Sequence, residues 1–215
     1  LTEGPIHVGV GNAVKGKVAV TAGSATKLPE VGVCSGGKLE VLTSFNKEFH
    51  EEILASEPEE VWLDTPDGSK VHAWVIKPVG YLAPKRYPAI LNVHGGPHGQ
   101  YGCTFFHEFQ VQAANGYVVV YSNPRGSKGY GESHCNAIRG DWGNKDWQDV
   151  QTVTHWMQHQ PYIHPGQMAI MGGSYGGYMT NWAVGHCNDF KAAITDRGVS
   201  NIDRKSTRLN SSHIP

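Results

Sequence analysis

The chain has 215 residues, 39% of them hydrophobic, enough to bury a core in one or two domains. Its 18 basic and 19 acidic side chains give a formal net charge of −1, so neither a basic patch for nucleic acid nor an acidic tail for a cationic partner is present. The longest apolar runs, such as residues 117–121, fall far short of the roughly 20 residues that span a bilayer.

Residues 1–50 read as all-β. Short strand-like runs at 18–21, 30–34 and 38–42 are separated by Gly, Ser and Pro. A three-strand unit of this kind is marginal alone, so it is expected to be the end of something larger. A short polar helical stretch follows at 49–56. Residues 60–65 and 70–76 then alternate as strands around Pro66-Asp67-Gly68, a turn in which Pro presets φ and Gly supplies φ > 0. This predicts an antiparallel hairpin.

Beyond it the pattern switches to strand, helix, strand, helix. Residues 89–93 form a buried-type strand. Phe105, Phe106, Phe109 and Ala113 share one helical face, with Gly116 placed to cap it. Residues 117–121 are the next strand. A helix is predicted over 145–158, with Asn144 as N-cap and Trp147, Val150, Thr154 and Met157 inward. A strand at 168–171, a helix from Ser174 and a last strand at 191–195 complete the alternation. Near-continuous apolar strands alternating with helices predict an α/β fold, a mostly parallel, doubly wound sheet covered on both faces.

Residues 203–213 break this pattern: they are polar, without hydrophobic period, and match the codon-by-codon translation of a sequencing-library adapter. The native frame is then expected to end near Ile202, and without that segment the formal charge is −3. Residue 1 is Leu with no signal-peptide pattern after it, so the natural start is expected upstream. Cys34, Cys103, Cys135 and Cys187 are widely spaced and form no C-x-x-C, which fits free thiols in a cytoplasmic, reducing setting.

The chemistry concentrates at Gly172-Gly173-Ser174-Tyr175-Gly176-Gly177. A G-x-S-x-G run between a strand and a helix is a nucleophile elbow: the Ser sits in strained backbone, so its neighbours must lack clashing Cβ atoms. The hydroxyl then stands above the carboxyl edge of the sheet, at a helix N-terminus that favours developing negative charge. A phosphate-binding loop is disfavoured because no Lys follows in the G-x-x-x-x-G-K-[ST] pattern. The second element is Val93-His94-Gly95-Gly96-Pro97-His98-Gly99, directly after a strand. Its small residues let a backbone N–H approach a scissile carbonyl, so the Gly96 and Tyr175 N–H groups are expected to form the oxyanion hole. His94 is expected to structure the loop, because the base in this arrangement follows the nucleophile in chain order. His155 and His159 have i, i+4 spacing but lack H-E-x-x-H and a third ligand, so an exposed helix face is favoured over a metal site. His186 reads as a helix-end residue. Arg125 is assigned to structural hydrogen bonding in preference to substrate contact.

Taken together, His94-Gly95-Gly96-Pro97, Ser122-Asn123-Pro124-Arg125-Gly126-Ser127, Gly140-Asp141-Trp142-Gly143 and the run from Gly172 to Met179 resemble the prolyl oligopeptidase family of serine peptidases. The likeness covers about residues 40–202 and is nearest to its acylaminoacyl-peptidase and dipeptidyl-peptidase branch. It implies an α/β-hydrolase domain over 51–202, preceded at 1–50 by the end of a β-propeller. It also implies hydrolysis of short peptides through an acyl-enzyme on Ser174. A carboxylesterase or lipase on the same fold is the alternative, since fold does not fix function. In the family the triad Asp and His lie well downstream of the Ser, whereas only 28 residues separate Ser174 from Ile202. Asp189 and Asp196 are therefore candidates by residue type alone, and this stretch by itself is expected to be inactive. No cofactor and no metal is expected. The expected partners are short peptides, with homo-oligomerisation of the full-length protein left open, and neither nucleic acid nor membrane.

Overall fold

The computed structural model describes residues 2–200; the adapter-like segment lies outside the described residues. The first unit is an antiparallel meander of β1 (His7–Val14), β2 (Lys17–Gly23), β3 (Glu30–Ser35) and β4 (Lys38–Val41), paired in chain order into a separate four-stranded sheet. Two of its connections are two-residue hairpins with positive φ at both positions, Lys15-Gly16 and Gly36-Gly37. That geometry matches the right-handed strand twist. β1 was not expected, because its alternation of Val8 and Val10 with glycines carries little hydrophobic signal.

A helix α1 (Lys47–Glu52) follows and ends four residues earlier than the sequence pattern implies. The reason is tertiary: Ser56 N–H donates to the Gln110 side chain at 2.8 Å, and Gln110 Nε2 donates to the Ser56 carbonyl at 3.0 Å and the Ala25 carbonyl at 3.3 Å. These bonds hold the non-helical segment that follows the extended Ile53 and tie the meander to the second unit.

The second unit is a six-stranded sheet. Its strands are β5 (Pro58–Asp64), β6 (Lys70–Ile76), β7 (Tyr87–Val93), β8 (Val118–Asn123), β9 (Ile163–Gly173) and β10 (Ala192–Asp196), in the order β10-β9-β7-β8-β6-β5. β5 and β6 form the expected hairpin, β6 joins β8 antiparallel, and β8, β7, β9 and β10 run parallel. Its helices are α2 (His107–Ala114), α3 (Glu132–Asn136), α4 (Lys145–Gln158) and α5 (Tyr175–His186). Side chains alternate across the pleat. Val71, Ala73, Val75, Val118 and Val120 face α4 and α5, whereas Trp74, Ile76, Val119 and Tyr121 face α2. The two buried faces explain why these strands read as continuous apolar runs.

Helix ends follow local chemistry with two corrections. α2 closes as expected at Gly116, whose φ is +88; Gly116 N–H bonds Ala113 O at 3.1 Å and Tyr117 N–H bonds Gln112 O at 3.2 Å. It begins, however, only at His107. Phe106 is extended and offers its carbonyl to Phe109 and Gln110, so Phe105 and Phe106 precede the helix. α4 has the expected bounds and buries Trp147, Val150, Thr154 and Met157. Asn144 occupies its N-cap position without a side-chain capping bond; its amide nitrogen donates to Asp141 Oδ2 at 2.8 Å. β9 begins five residues earlier than expected; the added polar stretch carries a register irregularity against β7 around Pro165 and Gly166.

Candidate active site

β9 runs into the elbow. Ser174 has φ +59 and ψ −115, a strained conformation for a residue with a Cβ, and it is exposed. Its N–H donates to the Asp196 carbonyl at 2.9 Å and its carbonyl accepts the Tyr178 N–H at 3.0 Å, so backbone bonds on both sides hold the turn. Its hydroxyl makes no capping bond to α5. The Tyr175 N–H belongs to the first turn of α5, whose N–H groups have no intrahelical acceptor.

The elbow sits against the end of β7. A Cβ on Gly172 would lie 2.6 Å from the Val93 carbonyl oxygen, and one on Gly176 would lie 2.1 Å from the same atom. Only glycine permits that approach. It brings the loop after β7 beside Ser174: a Cβ on Gly95 would lie 3.3 Å from the Gly173 carbonyl oxygen and 3.5 Å from Ser174 Cβ. Ser174, Tyr175 and the Gly95-Gly96 loop thus meet at one place, with Gly96 (φ +132) next along the chain.

Under the elbow, Tyr175 is fully buried and its hydroxyl donates to Asp146 Oδ2 at 2.5 Å. Burial, and then the Asp146 carboxylate, push the phenol pKa far above its ordinary range. Asp146 also accepts the N–H groups of Gly143 at 2.8 Å and Trp147 at 3.0 Å. The Gly140-Asp141-Trp142-Gly143 segment closes over this pair. The Trp142 ring meets the Tyr175 ring edge-on at 5.0 Å, and the Trp142 carbonyl accepts the Tyr178 hydroxyl at 3.2 Å.

The remaining candidates lie elsewhere. His94 is buried; its Nδ1 donates to the Gly95 carbonyl and its Nε2 pairs with Ser127 Oγ, both at 2.8 Å, which organises the loop. Burial holds its pKa below the ordinary value, against the raising effect of the Gly95 bond. Arg125 is committed to structure. Its Nε and Nη2 grip Asp149, Nη1 donates to Asp67, and Nη2 also reaches Gln148 Oε1 at 2.8 Å and the Lys145 carbonyl at 3.1 Å. Burial opposes the guanidinium charge, yet the bonds to Asp149 and Asp67 hold its pKa above the usual value. The Asp189 carboxylate accepts Gln158 Nε2 at 2.8 Å and that of Asp196 pairs with Arg197 at 2.7 Å. His186 Nδ1 donates to Trp182 O at 2.7 Å, and His159 Nδ1 donates to His155 O at 2.7 Å. Among the described residues no cluster of three metal-ligating side chains occurs, and no helix is long and apolar enough to cross a membrane.

A groove of about 580 Å³ runs along α4, lined by Asp64, Thr65, Gln148, Gln151, His155 and Asp189. It does not include Ser174. The strained elbow and its convergent backbone define the candidate site better than this groove. Asp146 and Asp149 carry no motif of their own. The one trace in the sequence is that both acids fall on the inward face of α4, among Trp147, Val150 and Val153.

The prolyl oligopeptidase family profile matches residues 103–213. The chain is 53% identical over 161 residues to the uncharacterized peptidase YuxL of Bacillus subtilis, covering 74% of this chain and 24% of that protein. It is 35% identical over 148 residues to dipeptidyl-peptidase 5 of Schizosaccharomyces pombe, covering 66% and 22%. The chain therefore spans about a quarter of the length of these relatives. An acylaminoacyl peptidase structure from Pyrococcus horikoshii superposes with a TM-score of 0.85 at 32% identity, over 92% of this chain and 32% of that one. With its elbow, its α/β-hydrolase sheet and a four-stranded blade preceding it, the chain belongs to the prolyl oligopeptidase family.

Proposed function

We propose that the protein is a serine peptidase of short peptides, acting through an acyl-enzyme on Ser174. The observation that carries this is the exposed, strained Ser174 set beside Gly95, on which a Cβ would lie 3.5 Å from Ser174 Cβ. Ser174 Oγ attacks the peptide carbonyl, a base takes its proton, and the amine leaves with a proton returned from that base. Water then hydrolyses the ester. The Gly96 and Tyr175 N–H groups stabilise the oxyanion in both steps. The substrates are of the aminopeptidase, acylaminoacyl-peptidase or dipeptidyl-peptidase type, the last two in agreement with the names of the relatives.

Among the described residues no histidine is hydrogen-bonded to Ser174, and the side chains of Asp189 and Asp196 are bonded to Gln158 and Arg197. We therefore assign the base and its carboxylate to chain outside the described residues, and expect residues 1–215 alone to turn over no substrate. The four unpaired thiols agree with a reducing, cytoplasmic setting. A fluorophosphonate probe should label the full-length protein at Ser174, and aminoacyl-anilides should be cleaved faster than short-chain esters. Labelling unchanged in Ser174→Ala would refute the nucleophile, and a preference for esters would favour a carboxylesterase.

A further inference from the structure

We propose that Asp146 is a positioning residue for catalysis, holding the Tyr175 side chain so that the Tyr175 backbone N–H stays aimed at the oxyanion. This rests on the reading of Ser174 as nucleophile.

The geometry runs through two side chains. Asp146 lies in the first turn of α4, a fourteen-residue helix whose N-terminus favours an anion. Gly143 and Trp147 N–H groups engage one carboxylate oxygen, which fixes the rotamer. The other oxygen is aimed at the Tyr175 hydroxyl, 2.5 Å away. Both residues are fully buried. A phenylalanine would fill nearly the same space without bringing a hydroxyl out of water, so packing alone does not account for the tyrosine. The bond ties the far end of the Tyr175 side chain to a different helix, while its near end is the first residue after the nucleophile.

Strained backbone persists only where its surroundings over-determine it. The Ser174 N–H bond to Asp196 clamps the elbow from one side. The Asp146–Tyr175 bond clamps it from the other, with the Trp142 ring closing over the Tyr175 ring. An oxyanion donor must sit within about 0.5 Å of its productive place, because its worth depends on being fixed before charge develops. Loosening this clamp should weaken the transition state more than substrate binding.

The test uses the full-length protein with Tyr175→Phe, Asp146→Asn and the double variant. Turnover is divided by the Ser174 sites titrated with a fluorophosphonate. Misfolding lowers the number of titrated sites and leaves turnover per site unchanged, so a merely structural role does not move this quantity. Each single variant is expected to lose about tenfold or more in kcat per site with KM within about twofold, a part of the 10²–10³ lost when a whole donor is removed. The double variant is expected to be no worse than the poorer single one, since both remove one interaction. Turnover per site within about twofold of wild type in either variant, a change confined to KM, or additive losses would overturn the proposal. So would the absence of titratable Ser174 from both single variants, which would make the bond a folding contact. Wild-type protein that is not titrated at Ser174 would instead refute the nucleophile assignment.

Discussion

The carbonyl oxygen of Val93 fills the space that a methyl group on Gly176 would need, 2.1 Å from the Cβ position. The end of β7 and the first turn of α5 are thereby in direct contact. That contact places the His94–Gly99 loop beside Ser174. Gly176→Ala should therefore displace backbone, lowering soluble yield or slowing Ser174 labelling more than about tenfold. Gly185, in the same helix, has nothing within 4 Å of its Cβ position. Gly185→Ala should leave labelling intact and stabilise by roughly 0.5–1 kcal/mol. Thermal melts and labelling rates of the two variants make the comparison.

The elbow also stores strain in one residue. Ser174→Gly removes the Cβ at φ +59 and should raise stability by about 1 kcal/mol, the strain relieved less the backbone entropy of glycine. Ser174→Ala keeps the Cβ and should not. Both should abolish labelling. Equal melting temperatures for the two would mean that the conformation costs nothing.

Arg125 joins the hairpin turn, the loop after β8 and α4 through Asp67 and Asp149. Asp149 is fully buried, so Arg125→Ala leaves a buried carboxylate unpaired and should cost about 3–5 kcal/mol in urea unfolding. Arg125→Lys should recover only part, because an ammonium cannot reproduce the planar fork. A raised KM at unchanged stability would instead return Arg125 to substrate contact.

Burial lowers the pKa of His94 below 6.5, and it lowers those of His72 and His134 as well. Below the ordinary histidine pKa these three residues therefore hold more protons in the unfolded chain than in the folded one. Their contribution to stability should be full above about pH 6.5 and be lost as the pH drops through it toward the lowered folded values. His94→Gln should be less stable at neutral pH, through its lost loop bonds, yet show a shallower decline between about pH 6.5 and 5. Thermal unfolding across that range tests this; identical slopes would mean that His94 is charged in the fold.

The nucleophile elbow, the hairpin at Pro66-Asp67-Gly68, α4 and the strand–helix alternation were all legible in the sequence. Each is written in neighbouring residues: glycines that permit a turn, a proline that presets φ, apolar residues at period 2 or 3.6. The end of α1 was misplaced because a distant partner, Gln110 against Ser56, overrode local pattern, and the start of α2 because Phe106 is extended and packs on Tyr101 in the preceding loop. The same holds for the polar scaffold under the site. Asp146 and Tyr175 are 29 residues apart, and Arg125 and Asp67 are 58 apart. A charged side chain on an inward helix face signals that a partner exists but not which one. The partner is chosen only when the sheet brings α4, α5 and the hairpin turn together, since burying the carboxylate requires a donor wherever the packing supplies it.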